Sequence, residues 1–184
     1  YARQLSEHID TEYVICRVIV HDSALNQEKW ILETAHEYNI RNLVIVGGEK
    51  EADAYDGLSV PEGDSLVKEK LNRGQTENVE GPREATDYLI GNICIPTRRL
   101  ETLDEPQRMS YKIKAGADFF TTQIIAEADS PTELLEDFDE ELQREKLAPP
   151  MIFWSFSPIS AEKDINFMRW LGVKIPDEVE DKIL

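Results

Sequence analysis

The stretch KIKAGADFFTTQIIAE, residues 112–127, decides how the rest of the chain is interpreted. Its small residues, Ala115, Gly116 and Ala117, end a segment of helical spacing, and the apolar run that follows from Phe119 has the length of a buried strand. That strand stops at an amide, Gln123, where a polar side chain needs either water or a hydrogen-bonding partner. A helix that passes through a tight turn into a buried strand is typical of a parallel α/β sheet.

Four other apolar runs of similar length occur along the chain. Together with the first they predict five strands, at residues 13–20, 43–46, 90–95, 119–123 and 151–156. Each run is nearly continuous in hydrophobicity, as in parallel strands that are covered on both faces. Segments of helical spacing separate the runs, so the sequence predicts a parallel α/β fold with right-handed crossovers.

Two parallel architectures fit this pattern, a (β/α)8 TIM barrel and an open parallel α/β sheet. Five units in 184 residues give about 37 residues per unit, and eight such units would need about 295, inside the barrel range of roughly 200 to over 400. The helix-like segment ARQLSEHI before the first strand is typical of the end of an earlier unit. We therefore predict a single α/β domain over residues 1–184, an incomplete TIM barrel of about five consecutive units; the open sheet is the alternative.

Helical spacing also predicts which residues face the core. The expected inward positions are Trp30, Ile31, Thr34, Ala35 and Tyr38 in one helix, Leu134, Leu135, Phe138, Leu142 and Leu147 in a second, and Ile165, Met168, Trp170 and Leu171 in a third. The second helix is expected to be capped at Ser130, with Pro131 in its first turn. Its acidic run at residues 136–141 is expected to face solvent.

The composition excludes several function classes. Lys plus Arg number 20 and Asp plus Glu number 37, a net charge of −17, which opposes binding to nucleic acid or to an anionic membrane. Cys16 and Cys94 lie in apolar runs and are expected to be buried thiols, and the three histidines have no metal-ligand spacing. Without a signal peptide or an apolar run near 18 residues, the sequence indicates a soluble cytoplasmic protein. The start at Tyr1 rather than Met indicates a processed or incomplete N-terminus.

The residues just after each strand are the candidates for a site, because ligands of parallel α/β proteins bind beyond the carboxyl ends of the strands. Gly47 and Gly48 after the second strand allow close backbone approach to a flat ligand, or form a plain tight turn. Arg98 and Arg99 after the third strand suit a phosphate or a carboxylate, or are ordinary surface residues. Gln123 can donate and accept hydrogen bonds at the edge of a heterocycle, or be satisfied by backbone.

Several segments together resemble the 5,10-methylenetetrahydrofolate reductase family, from about Tyr13 to the end of the chain. KAGADFFTTQIIAE is similar to that family's sixth-strand signature, which ends in T-Q, and RNLVIVGGE followed by AYDGLSV is similar to its fourth-strand segment. NICIPTRR resembles its fifth strand, and SFSPIS with LGVKIPDEVEDKIL resembles the region after its seventh. The T-Q and LGVKIP parts carry most of the specificity.

The resemblance implies a TIM barrel that reduces 5,10-methylenetetrahydrofolate, or a related methylene-tetrahydropterin, to the 5-methyl form. The hydride would come from NAD(P)H, directly or through FAD. Gln123 matches a glutamine that contacts the pterin and the nicotinamide, and Glu49 matches an aspartate near the flavin that also faces the pterin; these two are the expected catalytic residues. The expected cofactor-binding residues are Arg17, Gly47, Gly48, Tyr55, Ile95, Arg98, Arg99, Arg108 and Lys112, with Lys112 on the flavin phosphates.

This chain departs from the family pattern at several cofactor contacts. Gly47 stands where the family has Arg, Ile95 near a flavin-contacting Tyr, Thr97 in place of a Glu, and Tyr111 in place of an Arg. These departures favour one of two alternatives. The first is direct hydride transfer from NAD(P)H without a tightly held flavin, as in some divergent relatives of the family. The second is a non-catalytic barrel that binds a pterin or a protein partner. The family's general-acid Glu lies on the first barrel strand, which has no counterpart here, so the acid is expected on another segment or a partner chain. A homo-oligomer or a partner subunit is expected as well.

Overall fold

The computed structural model describes residues 11–48, 57–77, 79–80, 84–98 and 103–181, and within them strands and helices alternate. The strands are β1 (Val14–Val18), β2 (Asn42–Val46), β3 (Leu89–Cys94), β4 (Phe119–Thr122) and β5 (Met151–Phe153). The helices are α1 (Ala24–Tyr38), α2 (Val60–Ser65), α3 (Glu105–Ala115), α4 (Asp129–Glu145), α5 (Glu162–Trp170) and α6 (Asp177–Glu180). After α2 the chain continues through a π-helical turn, Leu66–Lys70, and a 3₁₀ turn, Leu71–Arg73.

The five strands form one sheet in the order β1-β2-β3-β4-β5. Pairing is parallel, with Val14 opposite Asn42 at the start of β1 and β2 and with Asn42 opposite Leu89 at the start of β3. This confirms the predicted parallel α/β sheet with alternating helices. Each predicted strand is present: β2 and β3 each begin one residue earlier than predicted, and the other three are shorter than predicted. The closed or incomplete barrel stays a prediction.

The chain divides into two compact units, called here unit 1 (residues 1–92 and 111–119) and unit 2 (residues 93–110 and 120–184). The prediction of a single domain over the whole chain stays a prediction. Unit 1 has a core of fully buried aliphatic side chains from the residue after β1, from α1, from β2 and from the turns after α2, among them Ile19, Ile31, Leu43, Val67 and Leu71.

Two local features position β3 and α2 within unit 1. A Cβ at Gly91 would lie 2.3 Å from the Phe119 ring, so only glycine allows these segments to approach so closely. The helix α2 starts at Ser59, whose backbone N–H and hydroxyl donate to the Glu62 carboxylate at 2.8 and 2.6 Å. This capping arrangement satisfies the Ser59 N–H and fixes where the helix begins.

Unit 2 packs α4 and α5 with β4 and β5. Phe120 meets Phe138 edge-on at 6.4 Å between ring centroids, and Ile165 and Met168 of α5 are buried with Val173. The β4 and β5 segments are linked further along by a parallel bridge between Ile125 and Phe156. These contacts hold the residues that follow β4 in a fixed place.

The start and the acidic face of α4 differ from the predictions. The helix is capped by Glu127, whose carboxylate accepts the N–H groups of Asp129 at 2.6 Å and Ser130 at 3.1 Å, so Ser130 is not the cap. Glu141 does not face solvent. It is buried, and its carboxylate accepts hydrogen bonds from the Ser110 hydroxyl at 2.8 Å and from the Arg144 guanidinium. A partner distant in sequence explains the burial of this acid, which spacing along the helix alone cannot show.

Several residues expected in the core are exposed. Tyr38, Leu135 and Trp170 lie largely in solvent although neighbours such as Ile31, Leu134, Ile165 and Met168 are buried, because each helix buries a narrower stripe than predicted. Cys16 is also exposed, as are Val14 on β1 and Met151 and Phe153 on β5. These strands lie at the two ends of the sheet order and have fewer neighbours to cover them than β2 has.

The described part of the chain has neither a membrane-spanning helix nor a cluster of metal-binding side chains. None of the helices there is both long enough and apolar enough to cross a membrane. Nor do three or more His, Cys, Asp or Glu side chains gather in these ranges so that they could hold a metal ion.

Candidate functional site

Gln123 lies directly after β4 in unit 2 and is held from two directions. Its backbone N–H donates to the carbonyl of Cys94, the last residue of β3, at 2.8 Å, which continues the pairing with β3 one residue beyond β4. Its side-chain Nε2 donates to the Leu171 carbonyl at 2.8 Å. The backbone therefore satisfies one donor of this amide, whereas Oε1 accepts no hydrogen bond from any residue that the structure describes.

The Leu171 carbonyl is presented by the end of α5. Gly172 follows with φ at +78°, in the left-handed region that glycine enters without strain. A Cβ placed on Gly172 would lie 3.9 Å from Gln123 Nε2. Gly172 donates to Arg169 at 2.9 Å and Val173 donates to Met168 at 2.9 Å, so the last carbonyls of the helix are taken up. The carbonyl of Leu171 points to Gln123 instead.

Two cavities of unit 2 share part of their lining, and Gln123 lines only the smaller of them. A small one of about 10 Å3 is lined by Gln123 together with Pro96, Thr97, Glu127 and Lys174, among others. A larger one of about 580 Å3 shares those last four residues and extends along the start of α4 and the segment before α6. The larger volume lies within the usual range for small-molecule sites, roughly 300 to 1,000 Å3. We call the two together the Gln123 cleft.

The larger part of the cleft is acidic. Its charged lining residues are Glu127, Asp129, Glu133, Glu178 and Lys174. Burial works to raise the pKa of Glu127, but hydrogen bonds from the Ser130 side chain and from the N–H groups of Ser130 and Asp129 outweigh it, and the pKa is lowered. Four carboxylates against one ammonium favour neutral or cationic groups over phosphates in this part of the cleft.

The turn after β3 forms one wall of the cleft. It closes through a hydrogen bond from the Arg98 N–H to the Ile95 carbonyl at 2.9 Å, with Pro96 and Thr97 between them. The fully buried carboxylate of Glu105 accepts the Ile95 N–H at 3.0 Å and Arg98 Nη1 at 3.0 Å. Arg108 Nε lies 3.8 Å from the same carboxylate. Ile95, Arg98 and Arg108, all predicted as cofactor-binding, therefore gather around Glu105 in unit 2.

Lys112, predicted to hold flavin phosphates, lies in unit 1 and is buried. Near it is Asp64, fully buried, whose Oδ1 accepts Asn92 Nδ2 at 2.9 Å. Burial raises the pKa of Asp64 to about 7; the hydrogen bond from Asn92 and the charge of Lys112 lower it, and the charge of Asp118 raises it. The ammonium of Lys112 thus serves a buried polar cluster.

The other predicted residues in unit 1 lie on β1 and after β2. Arg17 donates to Gln27 at 2.7 Å, lies 3.5 Å from Asp22 and stacks 4.6 Å above the centre of the Trp30 ring. Gly47 and Gly48 are exposed directly after β2. A Cβ at Gly47 would make only ordinary contact with Val60 at 3.4 Å, so packing does not demand glycine there.

Three predicted residues, Glu49, Tyr55 and Arg99, lie outside the described residues. The expected convergence of Glu49 and Gln123 on one ligand, and the roles of all the candidate residues, stay predictions.

A family model described as methylenetetrahydrofolate reductase matches residues 2–184. The chain belongs to the methylenetetrahydrofolate reductase family. This confirms the resemblance noted in the sequence. A search of curated proteins finds no match.

One similar solved structure is described as an uncharacterized protein from Clostridium thermocellum that binds two copies of 5-methyl-5,6,7,8-tetrahydrofolic acid. It is 20% identical with a TM-score of 0.75, and the alignment covers 100% of this chain and 56% of that chain. At this identity the likeness shows a shared fold. This chain spans a little over half the length of that protein.

Sequence reasoning missed Glu105 and the residues that surround the larger cavity, Glu127 and Lys174. A signal for Glu105 was present, because Asp104–Glu105–Pro106 is typical of a helix start. Nothing local to Glu127 or Lys174 marks them, since the cavity is formed by segments about fifty residues apart.

Proposed function

We propose that this protein binds a reduced folate, or a related tetrahydropterin, and reduces its 5,10-methylene form to the 5-methyl form with hydride from NAD(P)H. The observation that carries the proposal is the position of Gln123, which follows β4 directly and lines the smaller part of the Gln123 cleft in a chain of this family. The folate ligand of the solved structure from Clostridium thermocellum supports the substrate class.

Gln123 suits the edge of a pterin because its amide both donates and accepts. The hydrogen bond from Nε2 to Leu171 fixes the plane of the amide, so that Oε1 has one preferred direction. A pterin ring presents adjacent N–H donors and ring acceptors, which a fixed amide can pair with more selectively than a mobile one. We assign Gln123 the task of orienting the pterin for hydride transfer.

We assign Glu49 a second contact with the same ring. A carboxylate there would accept a hydrogen bond from the pterin N–H groups. It would also stabilise the iminium cation that forms when the methylene bridge opens. Hydride then adds to the methylene carbon of that cation, and NAD(P)+ leaves. The general acid that assists ring opening is assigned to another segment of the full-length protein or to a partner subunit.

Direct transfer from NAD(P)H is favoured over transfer through FAD. FAD would supply a hydride relay, but two of the cationic residues expected to bind it are engaged by other residues of the fold. Arg17 is engaged by Gln27 and Asp22, and Lys112 is buried in the cluster of Asp64. Ile95 offers no polar side chain to a flavin.

The full-length protein tests the proposal through two measurements. NADH or NADPH should be oxidised only when methylenetetrahydrofolate is added, as followed by nicotinamide absorbance, and the purified protein should show no flavin bands. Absence of turnover with either nicotinamide would overturn the reductase assignment, and flavin bands would overturn direct transfer.

The second candidate is a barrel of the same family that binds a pterin without reducing it. The departures from the family pattern at Gly47, Ile95, Thr97 and Tyr111 favour it. This candidate predicts no nicotinamide oxidation, with 5-methyltetrahydrofolate still raising the Tm by mass action.

A further inference from the structure

Glu105 is a buried acid whose two hydrogen bonds go to a turn, while Arg108 of its own helix lies 3.8 Å from the same carboxylate. It is the first residue of α3 and is fully buried. One carboxylate oxygen accepts the Ile95 N–H at 3.0 Å and the other accepts Arg98 Nη1 at 3.0 Å. The same side chain therefore holds both ends of the turn at residues 95–98.

Burial of a charged carboxylate is costly, and a buried ion pair is weak support for stability by itself. An apolar residue of similar size would fill the same space without a desolvation penalty. What an apolar residue cannot do is accept the Ile95 N–H and orient the Arg98 guanidinium at once. The two contacts are thus better explained by a need for a fixed turn than by a need for stability.

The turn matters because of what it presents. Pro96 and Thr97, between the two residues that Glu105 holds, line both parts of the Gln123 cleft. Cys94, the residue just before the turn, carries the carbonyl that accepts the Gln123 N–H at 2.8 Å. Glu105 itself does not line either cavity among the described residues, so it acts on the cleft through the turn.

We propose that Glu105 is a positioning residue that fixes the Pro96–Thr97 wall of the Gln123 cleft and so sets its affinity for a reduced folate. The identity of the ligand rests on the proposed function. The role of Glu105 in holding the turn rests on the contacts alone, and the two can be tested separately.

The test compares Glu105→Gln with Asp104→Asn in the full-length protein. Glu105→Gln keeps the size of the side chain but replaces an acceptor of Arg98 with an amide group. Asp104 is the matched control: its carboxylate accepts the Gln107 N–H at 3.1 Å within the same helix start, and among the described residues it makes no hydrogen bond to the turn. Both variants change one carboxylate to an amide at neighbouring positions.

The first readout is hydrogen–deuterium exchange at residues 93–98, and it needs no ligand. Glu105→Gln should speed exchange there about tenfold, and Asp104→Asn should change it less than about twofold. Equal exchange in wild type and Glu105→Gln would overturn the proposal. If Glu105→Gln does not fold, Arg98→Met removes the cation instead and should speed the same exchange.

The second readout is the Kd for 5-methyltetrahydrofolate measured by calorimetry, at unchanged Tm. Glu105→Gln should weaken binding about tenfold, with Asp104→Asn as in wild type. An unchanged Kd in a variant with a loosened turn would overturn the proposed link to the cleft. If wild type does not bind this folate, the proposed function fails for that ligand, and the exchange readout still decides whether Glu105 holds the turn.

Discussion

Asp64 in unit 1 and Glu105 in unit 2 are both fully buried acids, and their carboxylates are satisfied in opposite ways. Glu105 in unit 2 meets a backbone N–H and the guanidinium of Arg98. Asp64 in unit 1 meets the amide of Asn92, and its Oδ2 has no hydrogen-bonding partner among the described residues. A guanidinium partner allows a buried acid to stay charged and to hold a neighbouring segment in place. An acid whose hydrogen-bonding partner is a neutral amide is favoured in its protonated form when it is buried.

The largest expected effect is a pH dependence that arises from Asp64. Its folded-state pKa is raised by burial to about 7, above the ordinary value of about 4, so the folded protein holds this proton more tightly than the unfolded chain. The stability from this group is therefore present at low pH and is lost as the pH rises through about 7. The free energy of unfolding should fall by about 3 kcal/mol between about pH 5 and about pH 8 from this group.

Urea unfolding of Asp64→Asn checks this expectation. The variant should lose most of that slope, because an amide carries no proton to release. Asp87→Asn is the control, since Asp87 is exposed in the same unit and pairs with Arg41. An equal slope in wild type and Asp64→Asn would contradict the contrast between the two buried acids.

A smaller effect compares the two pairs by double-mutant cycles. The cycle for Glu105 with Arg98 should give a coupling energy of about 2 kcal/mol, because hydrogen bonds between charged groups are worth about 1.5–3 kcal/mol. The cycle for Asp64 with Asn92, measured near pH 5 where Asp64 is protonated, should give about 1 kcal/mol. Reversed magnitudes, measured by unfolding at matched ionic strength, would contradict the assignment of one pair as charged and the other as neutral.

The smallest effect concerns an acid near the surface, Glu127, which caps α4. Glu127→Gln should cost about 1 kcal/mol at neutral pH. Because the folded-state pKa of Glu127 is lowered, its contribution is present above the unfolded value of about 4.3 and is lost as the pH falls through the folded value. Unfolding at neutral and acidic pH checks this, with the exposed Glu136→Gln on the same helix as control; a difference that persists in acid would rule out a charged cap.

The strands were predictable because each is an apolar run of strand length bounded by polar segments. The exposure of Cys16 and of Phe153 was not, since an apolar run shows that a strand is buried somewhere and not where it lies in the sheet order. The burial of Glu141 depends on Ser110, thirty-one residues away. Contacts across such separations leave no periodic mark in the sequence.

The candidate site was predictable only where chain order and strand ends reveal it. Gln123 was found because it ends an apolar run, and its place after β4 beside β3 is as expected. Glu105 was missed because its role depends on hydrogen bonds from Ile95 and Arg98, ten and seven residues earlier in the chain. Arg17 and Lys112 were expected to serve a cofactor, but their partners in the fold, Gln27 and Asp64, are not adjacent in sequence.

The most direct measurement is the Kd of the full-length protein for 5-methyltetrahydrofolate, compared between Gln123→Ala and Gln143→Ala. Gln143 is the matched control, an exposed glutamine of unit 2 that donates to Asp139 at 2.7 Å. Loss of the Gln123 amide should weaken binding by about tenfold or more, while Gln143→Ala should bind as wild type does. Equal affinity in wild type and Gln123→Ala, at equal Tm, would contradict the claim that this amide grips the pterin.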